Sequence, residues 1–256
     1  MRALFRWSSR RARWWTTCVM ALALLLAATT AQAADGPDFF FGPPHGWFAV
    51  RGGWLYPRAD SDLFTFVGDQ LTIDRSDFRS GTLDLELGFV LTRLFAIEGG
   101  MDLSRRSIGS EYRRFIASNG QPIAQTTRLD QTGVFTGVRV TPLGRGRRVS
   151  RYAFIPSRLT PYAGAGLHLV NFDFSQSGQF VDFADLSVFN DYFVSEGWTA
   201  GPYVRGGVDV LVWRSLLVGF DARYTWLHSD LGRDFIGFDG IDLAGFRGTT
   251  GFSLVF

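Results

Sequence analysis

A histidine beside a serine could supply the base and the nucleophile of an ester hydrolase, and this pair occurs once, at His228 and Ser229. The base must lie within hydrogen-bond reach of the hydroxyl it activates. Successive side chains of a strand point to opposite faces. If this segment is a strand, His228 shares a face with Tyr224 and Trp226, while Ser229 lies on the other. The spacing therefore predicts no catalytic residue and favours an interfacial position for His228.

Metal and cofactor chemistry has little support in the sequence. His45 and His168 are far from each other and from His228, so the three histidines show no metal-ligand spacing. The single cysteine, Cys18, lies in the N-terminal segment. Disulfide frameworks, zinc–cysteine sites and iron–sulfur clusters are therefore excluded for the rest of the chain. We expect no metal and no cofactor.

The segments that would position other functional residues alternate between apolar and polar side chains, as strands with one apolar face do. The clearest segment, 82–91, sets five apolar residues against Asp84, Glu86 and Gly88. Short breaks at 92–94 and 214–215 indicate two tight hairpins. Eight such strands are expected, at 46–57, 82–91, 95–106, 128–141, 159–174, 204–212, 216–226 and 241–256.

The fifth of these strands does not keep one phase. Residues 163–169 have their apolar side chains at odd positions, whereas Phe172 and Phe174 favour the other phase. A β-bulge near Gly164 or Gly166 would reconcile the two.

Twelve ionisable residues fall on the polar faces of the strands, six acidic and six basic. Eight strands closed into a barrel leave an interior just wide enough for side chains to fill. Buried ions without partners lose hydration uncompensated, so we expect these residues to pair across the lumen. The paired lumen is either a closed plug or part of a gated or lateral conduit. The set comprises Arg51, Asp84, Glu86, Glu98, Asp102, Arg106, Arg139, Arg205, Asp209, Asp221, Arg223 and Arg247.

The N-terminal segment 1–33 has five arginines, no acidic residue, an apolar run over 19–28 and the sequence Ala-Gln-Ala at its end. These features are typical of a secretory signal peptide. We expect cleavage near Ala33, a periplasmic segment at 34–45 and a barrel at 46–256. Without residues 1–33 the net charge changes from +2 to about −3. Nucleic-acid binding therefore has no support.

The exported chain has no apolar run of membrane-helix length, so it is soluble or crosses a membrane as strands, and its composition favours strands. Outer-membrane barrels have short periplasmic turns and longer external loops. The long connections 58–77, 109–125, 175–197 and 229–240 fit external loops. The connection 142–158 breaks the rule and holds five arginines without an acid. It is a solvated periplasmic loop or a patch on anionic lipid head groups.

Two of the long connections, 58–77 and 175–197, are more apolar than solvated loops. Their aromatic residues either enclose an apolar ligand pocket or pack on one another without a ligand. The candidates for such a pocket are Phe64, Phe66, Phe180, Phe183, Phe189, Tyr192 and Phe193.

The C-terminal strand ends with alternate apolar residues, Phe252, Leu254 and Phe256. Terminal strands of outer-membrane barrels look like this, because the assembly machinery receives an apolar strand that ends in an aromatic residue. We therefore expect these three residues to act as an assembly signal for the barrel-assembly machinery.

Several motifs carry a family resemblance: Leu159-Thr160-Pro161-Tyr162-Ala163-Gly164-Ala165-Gly166, Trp198, the strand 207–210, and Asp221-Ala222-Arg223-Tyr224. Together they make the chain similar to the small eight-stranded outer-membrane β-barrels. It most resembles the outer membrane protein W family, with OmpA-like barrels next. The resemblance implies an all-β, single antiparallel eight-stranded transmembrane barrel in the bacterial outer membrane. It also implies a narrow, largely apolar conduit for small hydrophobic solutes.

Three hypotheses follow for function. The first is a conduit or binding barrel for small hydrophobic solutes, with outer-membrane lipids and a small hydrophobic ligand as partners. The second is a closed structural or surface-interaction barrel. The third, a lipid A-modifying enzyme, resembles lipid A deacylases, whose histidine and serine share a face. His228 and Ser229 do not share a face on a regular strand, so we expect no enzyme.

Overall fold

The computed structural model describes residues 40–117 and 120–256, and the expected signal peptide (1–33) lies outside them. One α-helix, α1, spans Asp62–Gln70, and 3₁₀ turns lie at Arg75–Phe78 and Arg233–Phe235. No helix in the described residues is long and apolar enough to cross a bilayer. The strands are β1 (Gly46–Pro57), β2 (Ser80–Val90), β3 (Phe95–Ile116), β4 (Pro122–Val140), β5 (Gly146–Ser150), β6 (Ala153–Pro156), β7 (Leu159–Val181), β8 (Val188–Trp213), β9 (Leu216–Thr225), β10 (His228–Ser229), β11 (Ile241–Asp242) and β12 (Gly245–Val255).

Eight of these strands form a closed antiparallel barrel in the order β1-β12-β9-β8-β7-β4-β3-β2. β1 pairs with β12 from Trp47 opposite Val255 to Pro57 opposite Gly245, without a register shift. The last strand therefore closes on the first and leaves no unpaired edge. Closure satisfies the backbone groups without water, which is required of strands in a bilayer. The expected all-β, eight-stranded antiparallel barrel is confirmed.

The two faces of the barrel wall differ in polarity. On β2, Leu83, Leu87 and Phe89 are exposed on the outside, whereas Asp84 and Glu86 are buried inside. This alternation matches the one expected from the sequence. An apolar outer face around a polar interior is the pattern of a transmembrane barrel.

The strands are of unequal length, and this shapes one end of the barrel. β3, β4, β7 and β8 contain 22, 19, 23 and 26 residues, whereas about ten residues cross a bilayer. The excess forms two tall hairpins at one end, which we call the long-loop end. The predicted extents of the loops at 109–125 and 175–197 are therefore wrong, because most of these residues belong to paired strands. The connections between the strands are only 117–121 and 182–187.

The phase of β7 also differs from the expectation. β7 pairs with β4 over 16 successive residue pairs without a register shift, so the bulge expected near Gly164 or Gly166 is absent. Leu169 is exposed outside, and Phe172 and Phe174 are buried inside the same regular strand. The apparent change of phase arises because β7 continues past the polar interior, where its inward face meets apolar side chains.

Helix α1 closes the long-loop end of the lumen. It lies within the expected loop 58–77, and its side chains Leu63, Phe64 and Val67 are fully buried. They pack with inward residues of the barrel, including Phe172 and Phe174, in one apolar cluster. We call this cluster the apolar cap. It also includes Leu71, Ile73, Phe78, Ile108, Leu129, Val170, Leu227, Phe235, Ile241 and Leu243.

The opposite end, which we call the short-turn end, has tight connections at 91–94 and 214–215. The connection expected at 142–158 contains the hairpin β5–β6. Phe40 and Phe154 exchange backbone hydrogen bonds of 3.0 and 2.9 Å, which tie residues before β1 to this hairpin. β12 begins at Gly245 rather than at 241, because Ile241 and Asp242 form β11 and pair with β10.

Candidate functional site

The lumen contains two clusters of ion pairs, and the first lies nearer the short-turn end. Its centre is Glu86, which pairs with Arg51, Arg139 and Arg205. Arg139 Nε also lies 2.7 Å from Glu98 Oε2. The other members are Asp209, 3.2 Å from Arg139 Nη1, and Asp221, 2.8 Å from Arg205 Nη2. All seven side chains, four carboxylates and three guanidiniums, are buried, so they are paired with one another and not solvated by bulk water.

Three aromatic residues complete the first cluster. Trp47 Nε1 donates to Glu86 at 2.6 Å, and Tyr162 Oη donates to Asp221 at 2.8 Å. The ring of Tyr162 also lies 3.9 Å from the Arg139 guanidinium carbon, a cation–π distance. Tyr203 Oη donates to Glu98 at 3.2 Å. The sequence pattern did not indicate a role for these rings, although each occupies an inward position in its strand.

The second cluster lies towards the long-loop end and joins four predicted residues. Arg223 Nη2 lies 2.9 Å from Asp84 Oδ2 and 2.8 Å from Asp102 Oδ2. Arg247 Nη1 lies 2.6 Å from Asp102 Oδ1. His168, whose orientation the sequence left open, is buried with Nε2 3.0 Å from Asp102 Oδ2. Eleven of the twelve predicted residues thus lie in the two clusters.

Arg106 is the exception, and the prediction that it pairs with a carboxylate in the lumen is wrong. Its Nε donates to the backbone carbonyl of Asp77. It faces inward on β3, but above the second cluster, where the turn 75–78 folds over the strand. Arg106 therefore fastens this turn to the barrel wall instead of pairing with a lumen carboxylate.

Above the apolar cap, at the long-loop end, lies a cavity of about 240 Å³ with mainly aromatic walls. We call it the aromatic pocket. Five of the seven predicted residues line it: Phe66, Phe180, Phe183, Phe189 and Phe193. Its walls also include five residues that the sequence pattern did not indicate: Tyr112, Phe235, Phe238, Gln125 and Gln176.

The two other candidates for this pocket lie elsewhere. Phe64 is buried in the apolar cap, with its ring centroid 4.8 Å from that of Phe78. Tyr192 is 56% exposed, because it alternates with the pocket residue Phe193 along β8. The alternation of side chains along β8 explains why Tyr192 points outward. The position of Phe64 depends on helix α1, which the sequence pattern did not predict.

The short-turn mouth of the lumen is covered by Arg145 from the loop before β5. Its guanidinium carbon lies 5.3 Å from the Trp47 ring centroid. Burial lowers the pKa of Arg145 to about 10, and the nearby charge of Arg139 adds to this effect. Arg145 is therefore still protonated at neutral pH.

The two residues with catalytic potential, His228 and Ser229, do not form a hydrogen-bonded pair. His228 is exposed, and Ser229 Oγ donates to the backbone carbonyl of Asp230 at 3.3 Å. In the described ranges, no group of three or more His, Cys, Asp or Glu residues is arranged to hold a metal ion.

Several solved structures are similar to the chain in fold. The outer membrane protein OprG from Pseudomonas aeruginosa is 14% identical over 85% of this chain and 99% of its own, with a TM-score of 0.48. Neisserial surface protein A is 14% identical, with coverages of 87% and 100% and a TM-score of 0.40. Ail of Yersinia pestis is 12% identical, with coverages of 82% and 99% and a TM-score of 0.40. No family model matches the chain, and no curated protein matches it. The closed strand pairing and the two-faced wall of the chain itself are the pattern of a transmembrane barrel.

Proposed function

We propose that this protein is a bacterial outer-membrane barrel that binds small hydrophobic solutes in the aromatic pocket at its outer end. This proposal rests on the aromatic pocket, which lies above a lumen filled by ion pairs and the apolar cap. Concave sites with mostly apolar walls are the usual form of small-molecule sites. Outer-membrane barrels have long external loops and short periplasmic turns, so we place the long-loop end outside the cell and the short-turn end in the periplasm.

The test is equilibrium binding of radiolabelled naphthalene to the protein in lipid nanodiscs, with protein-free nanodiscs as the blank. Phe66→Ala and Phe189→Ala remove pocket walls, yet both side chains are partly exposed and tolerate truncation better than the cap. We expect both variants to bind naphthalene more weakly. Tyr192→Ala is the matched control, because Tyr192 precedes Phe193 but faces outward. Equal binding by all four proteins would refute the proposal.

Passage through the centre of the barrel is not part of this proposal, because both charged clusters and the apolar cap lie in the way. A solute that crosses the outer leaflet would leave the pocket sideways through the wall above the clusters. Naphthalene uptake by liposomes containing the protein, compared with uptake by liposomes of Phe189→Ala, tests this route.

A closed surface-interaction barrel is the second candidate. The tip of the β7–β8 hairpin exposes Phe183 and Leu186, which are 55% and 62% exposed. Apolar side chains at the tip of an external hairpin are suited to contact another surface. Leu186 does not line the aromatic pocket, so Leu186→Ser changes the hairpin tip without changing the pocket walls. Loss of cell adhesion in this variant with unchanged naphthalene binding would favour the second candidate.

We also propose that anionic lipid head groups of the periplasmic leaflet contact the short-turn end. The described connections at this end contain seven arginines and no acidic residue. By contrast, the connections described at the long-loop end contain eleven acidic residues and four arginines. Basic segments next to a membrane are attracted to anionic lipids. The seven arginines are Arg93, Arg145, Arg147, Arg148, Arg151, Arg158 and Arg214.

Finally, we propose that the protein is not a lipid A-modifying enzyme. The Ser229 hydroxyl donates to a backbone carbonyl, and His228 does not accept its proton. A base that activates this hydroxyl would have to lie within hydrogen-bond reach of it.

A further inference from the structure

One polar atom in the wall of the aromatic pocket has no partner. Gln125 lies on β4 with its side chain inward and is only 5% exposed. Its Oε1 is buried, and no hydrogen-bond donor among the described residues reaches it. A buried acceptor without a donor costs about 1–3 kcal/mol, so this position favours any ligand that supplies one.

Two other polar side chains that line the pocket already have a hydrogen-bond partner. Gln176 Nε2 donates to Thr127 Oγ1 at 3.2 Å. Asp234 Oδ2 accepts from the backbone N–H of Val194 at 2.9 Å. Gln125, which carries the free acceptor, thus lines a mainly aromatic pocket together with two polar side chains that already have partners. This combination is selective, because a few placed polar groups orient a ligand in an otherwise apolar site.

The local backbone leaves room for this amide. Gly178 lies directly opposite Gln125 in the β4–β7 pairing and has a φ of 130°. A Cβ atom at Gly178 would lie 2.8 Å from the Cα of Gln125 and 3.1 Å from its Cβ. A larger residue at 178 would therefore be strained and would displace the Gln125 side chain.

We infer that the ligand of the aromatic pocket is a small one- or two-ring aromatic molecule that carries a single hydroxyl or N–H donor. Its ring packs on the pocket phenylalanines, and its donor binds Gln125 Oε1. This inference rests on the proposed function and narrows it from hydrophobic solutes in general to donor-bearing aromatics.

The experiment is competition against radiolabelled naphthalene in nanodiscs, with 2-naphthol and 2-methoxynaphthalene as competitors. The two share a ring system, but only 2-naphthol donates a hydrogen bond. A net hydrogen bond of ordinary strength gives about a fivefold preference for 2-naphthol in the wild type. Gln125→Leu should abolish this preference and retain naphthalene binding. Gln176→Leu, which removes an amide already bonded to Thr127, should keep it.

Each outcome decides the inference. A wild type that binds naphthalene but does not distinguish the competitors, as expected if water occupies the acceptor, would overturn it and leave the proposed function intact. A preference that survives in Gln125→Leu, or that favours 2-methoxynaphthalene, would also overturn it. No naphthalene binding by folded wild type would refute both. Heat-modifiable migration on detergent gels establishes that each variant is folded.

Discussion

Arg205 Nη1 lies 2.8 Å from Glu86 Oε2, although the two residues belong to strands on opposite sides of the barrel. Four strand positions separate β8 from β2 in either direction around the ring. Arg223 and Asp102 repeat this relationship one layer higher, at 2.8 Å, from β9 and β3. Two bonded pairs thus span the full lumen, so we expect the barrel to be closed to ions.

Removing Arg223 should open this closure. Arg223→Ala leaves Asp84 and Asp102 with one fewer buried cation, and such a loss typically costs about 3–5 kcal/mol in the free energy of unfolding. We expect lower stability and a larger ion conductance in planar bilayers. Arg128→Ala is the control, because Arg128 is an exposed residue that pairs with Asp130 outside the lumen. Large steady conductance of the wild type would contradict a closed lumen.

Gly88 should be intolerant of even a methyl group. An added Cβ would lie 2.1 Å from Cζ2 of the Trp47 ring. Gly88→Ala must therefore displace the indole that donates to Glu86. We expect reduced thermal stability in detergent, measured by the temperature at which heat-modifiable migration is lost. Gly81→Ala on the same strand is the control, since its nearest neighbour would be 4.0 Å away.

Deletion of Phe256 tests the proposed assembly signal. Phe256 is 56% exposed, and its backbone bonds to Gly46. We expect less assembled protein in the outer membrane of expressing cells. Phe256→Tyr keeps a terminal aromatic and should assemble normally. Unchanged levels after deletion would contradict the role.

His228→Ala should leave the lipid A of expressing cells unchanged, because the adjacent Ser229 hydroxyl donates to the backbone carbonyl of Asp230 instead of to this histidine. Mass spectrometry of lipid A from cells with wild type, His228→Ala and no protein provides the comparison. Acyl-chain removal that depends on His228 would establish the enzyme hypothesis instead.

The barrel was predictable because each membrane-spanning strand must alternate between lipid and lumen. Period-two patterns located all eight strands, and β1 has the expected bounds of 46–57. The same parity placed residues such as Glu86 and Arg205 inside the barrel. The partners within the lumen were not predictable, because parity gives the face of a side chain but not the position of residues from opposite strands.

The long-loop end was less predictable, since the bilayer no longer dictates a single apolar face there. Phe172 and Phe174 point inward and are apolar because they pack in the cap. In the sequence, apolar residues on the inward face look like a change of phase along the strand. Phe64 was expected in a ligand pocket but lies in the cap, since residues 62–70 form a helix. The sequence pattern did not indicate Gln125, because only the folded structure shows that its side-chain oxygen lacks a hydrogen-bond donor.

The cationic short-turn end leads to a prediction about lipids. Arg147, Arg148 and Arg151 are exposed around the β5–β6 turn, and Tyr152 beside them is 65% exposed. Each basic residue near an anionic surface contributes about 1 kcal/mol. In mixed vesicles, spin-labelled phosphatidylglycerol should therefore associate with the protein more strongly than spin-labelled phosphatidylcholine. Neutralising the three arginines to glutamine should weaken this preference by about fivefold for each charge removed, and high salt should weaken it in the wild type.

Two further variants separate charge from other effects. Lysine at the same three positions should keep the preference for phosphatidylglycerol, because a lipid surface responds to charge. Arg75→Gln with Arg114→Gln, two exposed positions at the long-loop end, should also keep it. If the glutamine variant retained the full preference, the short-turn arginines would not be the contact. If the protein inserted into vesicles but showed no preference, the periplasmic hairpin would be a solvated loop, and naphthalene binding at the opposite end would be unaffected.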